Sequence, residues 1–250
     1  KLIEEARQRG VDVTIDQYPY TASSTTLRAC LPIWVHEGGI EKIIERLQEP
    51  SIRTRIIEEI NTGDDWENFY QHSNGAGGVL ISYTPETPEY EGKTLLEVSR
   101  MMHKEPLDVL CDIIVANKGS DTACYYMICE DDIKHIMKSP FTMIASDSIP
   151  AAPRAKCHPR TNGTFPRVLG KYVREEKTLS LEEAVNKMTC FPAARFNIYN
   201  KGIIKVGMDA DIVVFDPDTV IDGAHYEDPF KDPVGIDYVI VNGKIAINDG

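Results

Sequence analysis

Residues 141–147, FTMIASD, are apolar up to a final acid, Asp147, and the stretch beyond them, SIPAAPRAKCHPRTNGTFPRVLG, is crowded with Pro, Arg and His. A buried strand that ends on an acid and opens into a polar loop is how a barrel of parallel strands presents a metal ligand or a general base. A short amphipathic helix, EDDIKHIMKS, leads into this strand. The same order opens the chain. Residues 1–9 place Leu2, Ile3 and Ala6 on one helical face, Gly10 closes the helix, and Val11, Val13 and Ile15 alternate into Asp16 and YPYTASST. Helix, strand and then polar loop is the ending of one αβ unit in a parallel sheet.

Between these two strands lies a more varied stretch. Residues 39–61, GIEKIIERLQEPSIRTRIIEEIN, predict a helix broken at Pro50 whose alternating charges form a solvated face. Residues 62–76 read as a loop or partly ordered insert, and 77–83 and 123–128 as short strands. Residues 93–117 predict two helices divided near Pro106. Beyond the Pro-rich loop, Ser180 and Glu183 form a capping box for a helix reaching about Thr189, and Pro192 starts a further turn. From Gly202 onward the chain becomes β-rich with tight Asx/Gly turns, as expected of a small β domain.

The net charge of −12, from 39 acids and 27 bases, disfavours nucleic acid and anionic membrane surfaces as partners. No apolar run approaches the 18 or so residues that a transmembrane helix needs. The six cysteines, Cys30, Cys111, Cys124, Cys129, Cys157 and Cys190, form no CxxC pair, which argues against a zinc knuckle. Cys111, Cys124 and Cys129 lie in apolar runs and are expected to be buried thiols. This usage is that of a cytoplasmic chain, not a disulfide-stapled one. The chain opens inside a helix without an initiator Met, so its true amino terminus is expected to lie upstream.

Few residues are placed to carry chemistry. The glycine-rich NGAGGV, residues 74–79, precedes a strand and lacks a phosphate loop's spacing, so it is a turn. Asn162 and Thr164 match a glycosylation sequon, but no secretory signal accompanies them. Asp147 has two readings, a helix N-cap or a catalytic acid, and local sequence does not separate them. Near it, Arg160 or Arg154 has the fork geometry to bind a carboxylate, with a surface salt bridge the favoured reading of Arg154. Tyr18, Tyr20 and Ser24 form a second polar cluster, which either orients a carboxylate or carbonyl or only holds its own loop together.

Three segments taken together carry a family resemblance. DQYPYTASST, ASDSIP with HPRTNGTFPRVLG, and GMDADIVVFDPDTV resemble the D-aminoacylase (N-acyl-D-amino-acid deacylase) branch of the amidohydrolase superfamily. The first two are fairly specific to that branch, and the third, with KMTCFPAARF before it, is shared by many amidohydrolases. The resemblance covers nearly the whole chain but corresponds to the carboxyl-terminal half of a family member. It implies an α/β fold: residues 1–200 as the last part of a metal-dependent (β/α)8 TIM-like barrel with a helical insert near 39–76, and 201–250 as part of a small β-sandwich domain. It implies hydrolysis of the amide of N-acyl-D-amino acids, with Asp147 as metal contact and general base, and with Tyr18, Ser24 and Arg160 holding the substrate's α-carboxylate. Two departures stand out: Ser148 replaces the glycine usual after the acid, and the AAPRAKC spacer before His158 is slightly long.

By the same resemblance the cofactor is zinc, most of whose ligands (an HxH pair, a cysteine and two further histidines) would precede Lys1. The expected partners are a small N-acyl amino acid and a missing amino-terminal half or a swapped chain, because a half barrel exposes strand edges and apolar surface. This segment alone is expected to be inactive. The alternatives are a truncated, catalytically inactive amidohydrolase and a related cyclic-amide hydrolase of hydantoinase type.

Overall fold

Helix boundaries fall where the sequence supplies caps and breakers. The structure, a computed structural model, describes residues 1–149, 156 and 158–248. In chain order the elements are α1 (Leu2–Gln8), β1 (Ile15–Gln17), β2 (Ser23–Thr25), α2 (Gly39–Gln48), α3 (Pro50–Thr62), α4 (Phe69–His72), β3 (Val79–Tyr83), α5 (Leu95–Met102), α6 (Pro106–Ala116), β4 (Thr122–Tyr125), α7 (Glu130–Lys138) and β5 (Thr142–Ile144). They continue with α8 (Arg160–Arg167), a π-helical segment (Val168–Glu175), α9 (Leu181–Met188), α10 (Cys190–Arg195), β6 (Ile212–Phe215), β7 (Ile236–Val241) and β8 (Lys244–Asn248). Thr94 with Glu97 and Ser180 with Glu183 form reciprocal capping boxes that satisfy the first amides of α5 and α9. Pro50 and Pro106 open α3 and α6, where a missing N–H costs nothing.

The chain forms two compact units: one is Lys1–Tyr20, Glu130–Ile149 and Pro159–Gly250, the other Thr21–Cys129 and Pro150–His158. In the second unit, β2, β4 and β3 form an antiparallel sheet, with Ser24 and Leu80 both opposite Cys124. Beside it the apolar faces of α2, α3, α5 and α6 converge, and Leu27, Leu47, Ile56, Ile60, Leu95 and Leu110 are fully buried. Each such side chain contributes about 1.5–3 kcal/mol relative to exposure. The charges of α2 and α3 are not simply solvated. Arg53 bridges Asp108 at 2.9 Å and Asp112 at 2.8 Å, and Glu59 accepts a 2.6 Å hydrogen bond from the Trp34 indole.

In the first unit, β1 and β5 pair in parallel, with Ile15 opposite Thr142 and Gln17 opposite Ile144. The buried Lys187 of α9 donates to the carbonyls of Ser139 (2.6 Å) and Thr142 (3.0 Å), tying the entry of β5. The three strands β6, β7 and β8 make an antiparallel sheet, and Asn242 and Gly243, both at positive φ, turn β7 into β8 as a two-residue hairpin loop requires.

Three further sequence expectations need correction. Residues 62–76 are ordered, because the buried Asn68 caps α4 and donates to the Ile60 carbonyl at 2.8 Å. Residues 160–175, loop-like by their Gly and Pro, are helical: Gly163 and Pro166 are buried, and packing overrides the local propensity. Cys111 and Cys124 are buried as expected, but Cys129 is exposed. Arg154 and Cys157 lie outside the described residues.

Candidate active site

Two adjacent parallel strands bring their carboxyl ends together, and the Ala145 amide donates to the Gln17 carbonyl at 3.0 Å just beyond their last register pair. The chain then leaves β1 through Tyr18-Pro19-Tyr20 and leaves β5 through Ser146 and Asp147. Asp147 adopts a left-handed backbone with φ of 46°, which costs a non-glycine residue energy and clusters at functional sites. Ser148 and Ile149 are not helical, so Asp147 does not cap a helix; its carboxylate stands open instead.

Arg160, the first residue of α8, closes the group. Its Nη2 lies 2.9 Å from the Asp147 carboxylate, and its guanidinium sits 4.8 Å above the centre of the Tyr18 ring. The arginine side chain is only 7% exposed and the Asp147 side chain 66%, so a buried cation faces an open carboxylate. A guanidinium held over an aromatic face keeps its fork aimed in one direction, as planar recognition of a carboxylate needs. The described geometry therefore unites Tyr18, Asp147 and Arg160. Ser24 lies on β2 in the other unit, half-buried and paired with Cys124. His158 is buried there too, its Nε2 2.9 Å from the Ala22 carbonyl.

Tyr20, grouped with Tyr18 by sequence, does different work. It is 3% exposed, burial pushes its phenol well above the ordinary range, and its hydroxyl lies 3.4 Å from the Pro159 carbonyl. A Cβ at Gly163 would stand 2.5 Å from that hydroxyl, so only glycine lets α8 approach so closely. Sequence reasoning missed Arg167 and Asp222. Arg167 donates through Nε to the Pro19 carbonyl (2.9 Å) and pairs with Asp222 at 3.0 Å. No local pattern signals a contact between residues so far apart in the chain.

Among the described residues, no three His, Cys, Asp or Glu side chains converge on a possible metal position. A hydrolytic zinc ion takes about three protein ligands, so these residues do not fit one by themselves. Asp147 is a single carboxylate already beside a guanidinium. Among the described residues, no helix is long and apolar enough to cross a membrane.

Comparison with known proteins gives the geometry its context. Residues 98–247 match the amidohydrolase family. The chain is 36% identical to a D-aminoacylase of Alcaligenes xylosoxydans xylosoxydans over 97% of its own length and 40% of that protein's. It is 34% identical to an N-acyl-D-glutamate deacylase of the same organism, covering 96% of this chain and 40% of the relative. Among solved structures, the zinc- and phosphonate-bound N-acyl-D-glutamate deacylase of Bordetella bronchiseptica superimposes with a TM-score of 0.73 at 32% identity, over 98% of this chain and 41% of that one. A crystal structure of D-aminoacylase gives a TM-score of 0.74 at 33% identity, over 99% and 42%. The chain thus spans about two fifths of the length of the curated relatives it matches. With most of its length aligned at this identity, the chain belongs to the amidohydrolase family, in the branch of D-aminoacylase and N-acyl-D-glutamate deacylase.

Proposed function

We propose that this chain forms part of a metal-dependent hydrolase that cleaves the amide bond of N-acyl-D-amino acids. The observation that carries this reading is the meeting of Asp147, Arg160 and Tyr18 at the carboxyl ends of adjacent parallel strands, in a chain similar throughout its length to D-aminoacylase. We also propose that β1 and β5 are neighbours in a (β/α)8 barrel, whose chemistry sits at that end of its strands, and that β6, β7 and β8 belong to a small β domain.

In this reading Arg160 binds the substrate's α-carboxylate, and its grip on the Tyr18 ring fixes the direction of approach. Tyr18 adds a neutral hydrogen bond to the same group, and holding the α-carboxylate while the amide reacts distinguishes D from L. Asp147, exposed beside that arginine, takes the proton of the attacking water and returns it to the leaving amine, a role worth about 10²- to 10⁴-fold. Substrate entry divides Arg160 between two carboxylates, so binding loosens the Asp147 ion pair as the base is required. Zinc is the cofactor we propose, with Asp147 as one ligand and the others from residues outside this segment. The catalytic unit accordingly includes those further residues.

The test is a substrate panel on the protein expressed from its complete reading frame. N-acetyl-D-amino acids should be hydrolysed, with their L enantiomers at least tenfold slower, the scale on which one misdirected charged hydrogen bond is felt. Preference for hydantoins over acyl-D-amino acids would replace this reading with a cyclic-amide hydrolase, and absence of all hydrolysis would indicate an inactive relative.

A further inference from the structure

Helix α8 presents two arginines seven residues apart, and two helical turns place them on one face. The pair meets the two tyrosines of the Tyr18-Pro19-Tyr20 turn in order: Arg160 lies 4.8 Å over the Tyr18 ring and Arg167 lies 4.9 Å over the Tyr20 ring. Between them on the helix, the buried Gly163 permits the close approach to Tyr20. Arg167 does more than stack. Its Nε donates to the Pro19 carbonyl at 2.9 Å, and its Nη1 is held at 3.0 Å by Asp222, whose side chain is 6% exposed. The Tyr20 hydroxyl then reaches the carbonyl of Pro159, the residue that precedes Arg160. Arg167 therefore grips the two residues after Tyr18, and Tyr20 contacts the backbone that launches Arg160.

We propose that Arg167, held by Asp222, is a positioning residue for substrate-carboxylate binding. It fixes the Tyr18-Pro19-Tyr20 turn from behind and so sets the ring on which Arg160 is aimed. A partly buried ion pair is weak support for stability in itself, but it suits the task of holding one geometry. Lysine in place of Arg167 would keep the charge while losing both the fork and the flat stacking face. The inference rests on the deacylase reading of Tyr18 and Arg160.

The test uses Arg167→Lys and Asp222→Asn in the protein from its complete reading frame, with two readouts. The first compares an N-acetyl-D-amino acid with the corresponding α-carboxamide, which lacks the carboxylate. The expected result is a roughly tenfold rise in KM for the acid with kcat nearly unchanged, and no change in kcat/KM for the carboxamide, the pattern of misdirected ground-state binding. The second is amide hydrogen exchange, which should quicken over residues 17–21 in both variants. Equal losses on both substrates, or exchange over 17–21 as slow as in the wild type, would overturn the inference. If Arg167→Lys does not fold, Asp222→Asn removes only the counter-charge and carries both readouts. A wild-type protein inert toward acyl-D-amino acids would refute the deacylase reading instead, and the exchange measurement alone would then decide whether Arg167 fixes the turn.

Discussion

At the scale of single residues, the site depends on an unequal pair: Arg160 is buried and stacked, whereas Asp147 is open and held at positive φ. Lysine keeps a cation beside the exposed Asp147 carboxylate, so Arg160→Lys should leave the protein folded while impairing recognition. We expect KM for acyl-D-amino acids to rise at least tenfold, the cost of exchanging a planar fork for a point charge, measured against a nearly unchanged melting temperature. A KM within twofold of wild type would remove Arg160 from the proposed carboxylate site. The residue types here were legible in the sequence, since an acid at a strand end and a nearby arginine are visible as such. Whether Asp147 capped a helix was not legible locally, because that depends on the backbone of Ser148 and Ile149. Arg167 and Asp222 were illegible for another reason: their partners lie 148 and 55 residues away, and no periodicity records such contacts.

At the scale of elements, local signals and tertiary packing divided the outcome. Capping boxes and N-terminal prolines placed α3, α5, α6 and α9 where the sequence predicts them. Ser180→Ala should cost about 1 kcal/mol, read as a lower denaturation midpoint with an unchanged slope. Helix α8 and the π-helical segment escaped prediction because Gly163 and Pro166 oppose helix locally and only burial reverses them. The π-helical segment is anchored to α7 through Glu130, which accepts from Tyr172 at 2.9 Å and Lys171 at 2.8 Å. Burial alone would raise the Glu130 pKa, but these two partners outweigh it and hold the carboxyl below its ordinary 4.5. A lowered folded-state pKa gives stability that is fully present above 4.5 and lost as pH falls through the folded value. Glu130→Gln should therefore lower stability at pH 6 while flattening its decline below pH 4.5. An acid denaturation profile identical to wild type would show that the contact contributes nothing.

At the scale of the whole molecule, the chain leaves one unit after Tyr20 and returns to it at Glu130. Composition shows the β-rich change near Gly202 but not this interleaving, which rests on contacts between β1 and β5, more than a hundred residues apart. The first unit also carries an open, largely apolar groove of roughly 900 Å³ lined by Phe196, Ile203, Ile204, Met208 and Phe215 among others. On β8, Ile245 and Ile247 are 63% and 44% exposed. Apolar surface of this extent drives association, so residues 1–250 expressed alone should elute as oligomers or aggregates and bind hydrophobic dye. A monodisperse monomer with cooperative unfolding would contradict that. The proposed role of Asp147 as proton carrier is read from the turnover of N-acetyl-D-amino acids by Asp147→Ala in the protein from its complete reading frame. We predict a loss of kcat of at least about 10²-fold in a protein that still folds cooperatively, and wild-type-like turnover would contradict that assignment.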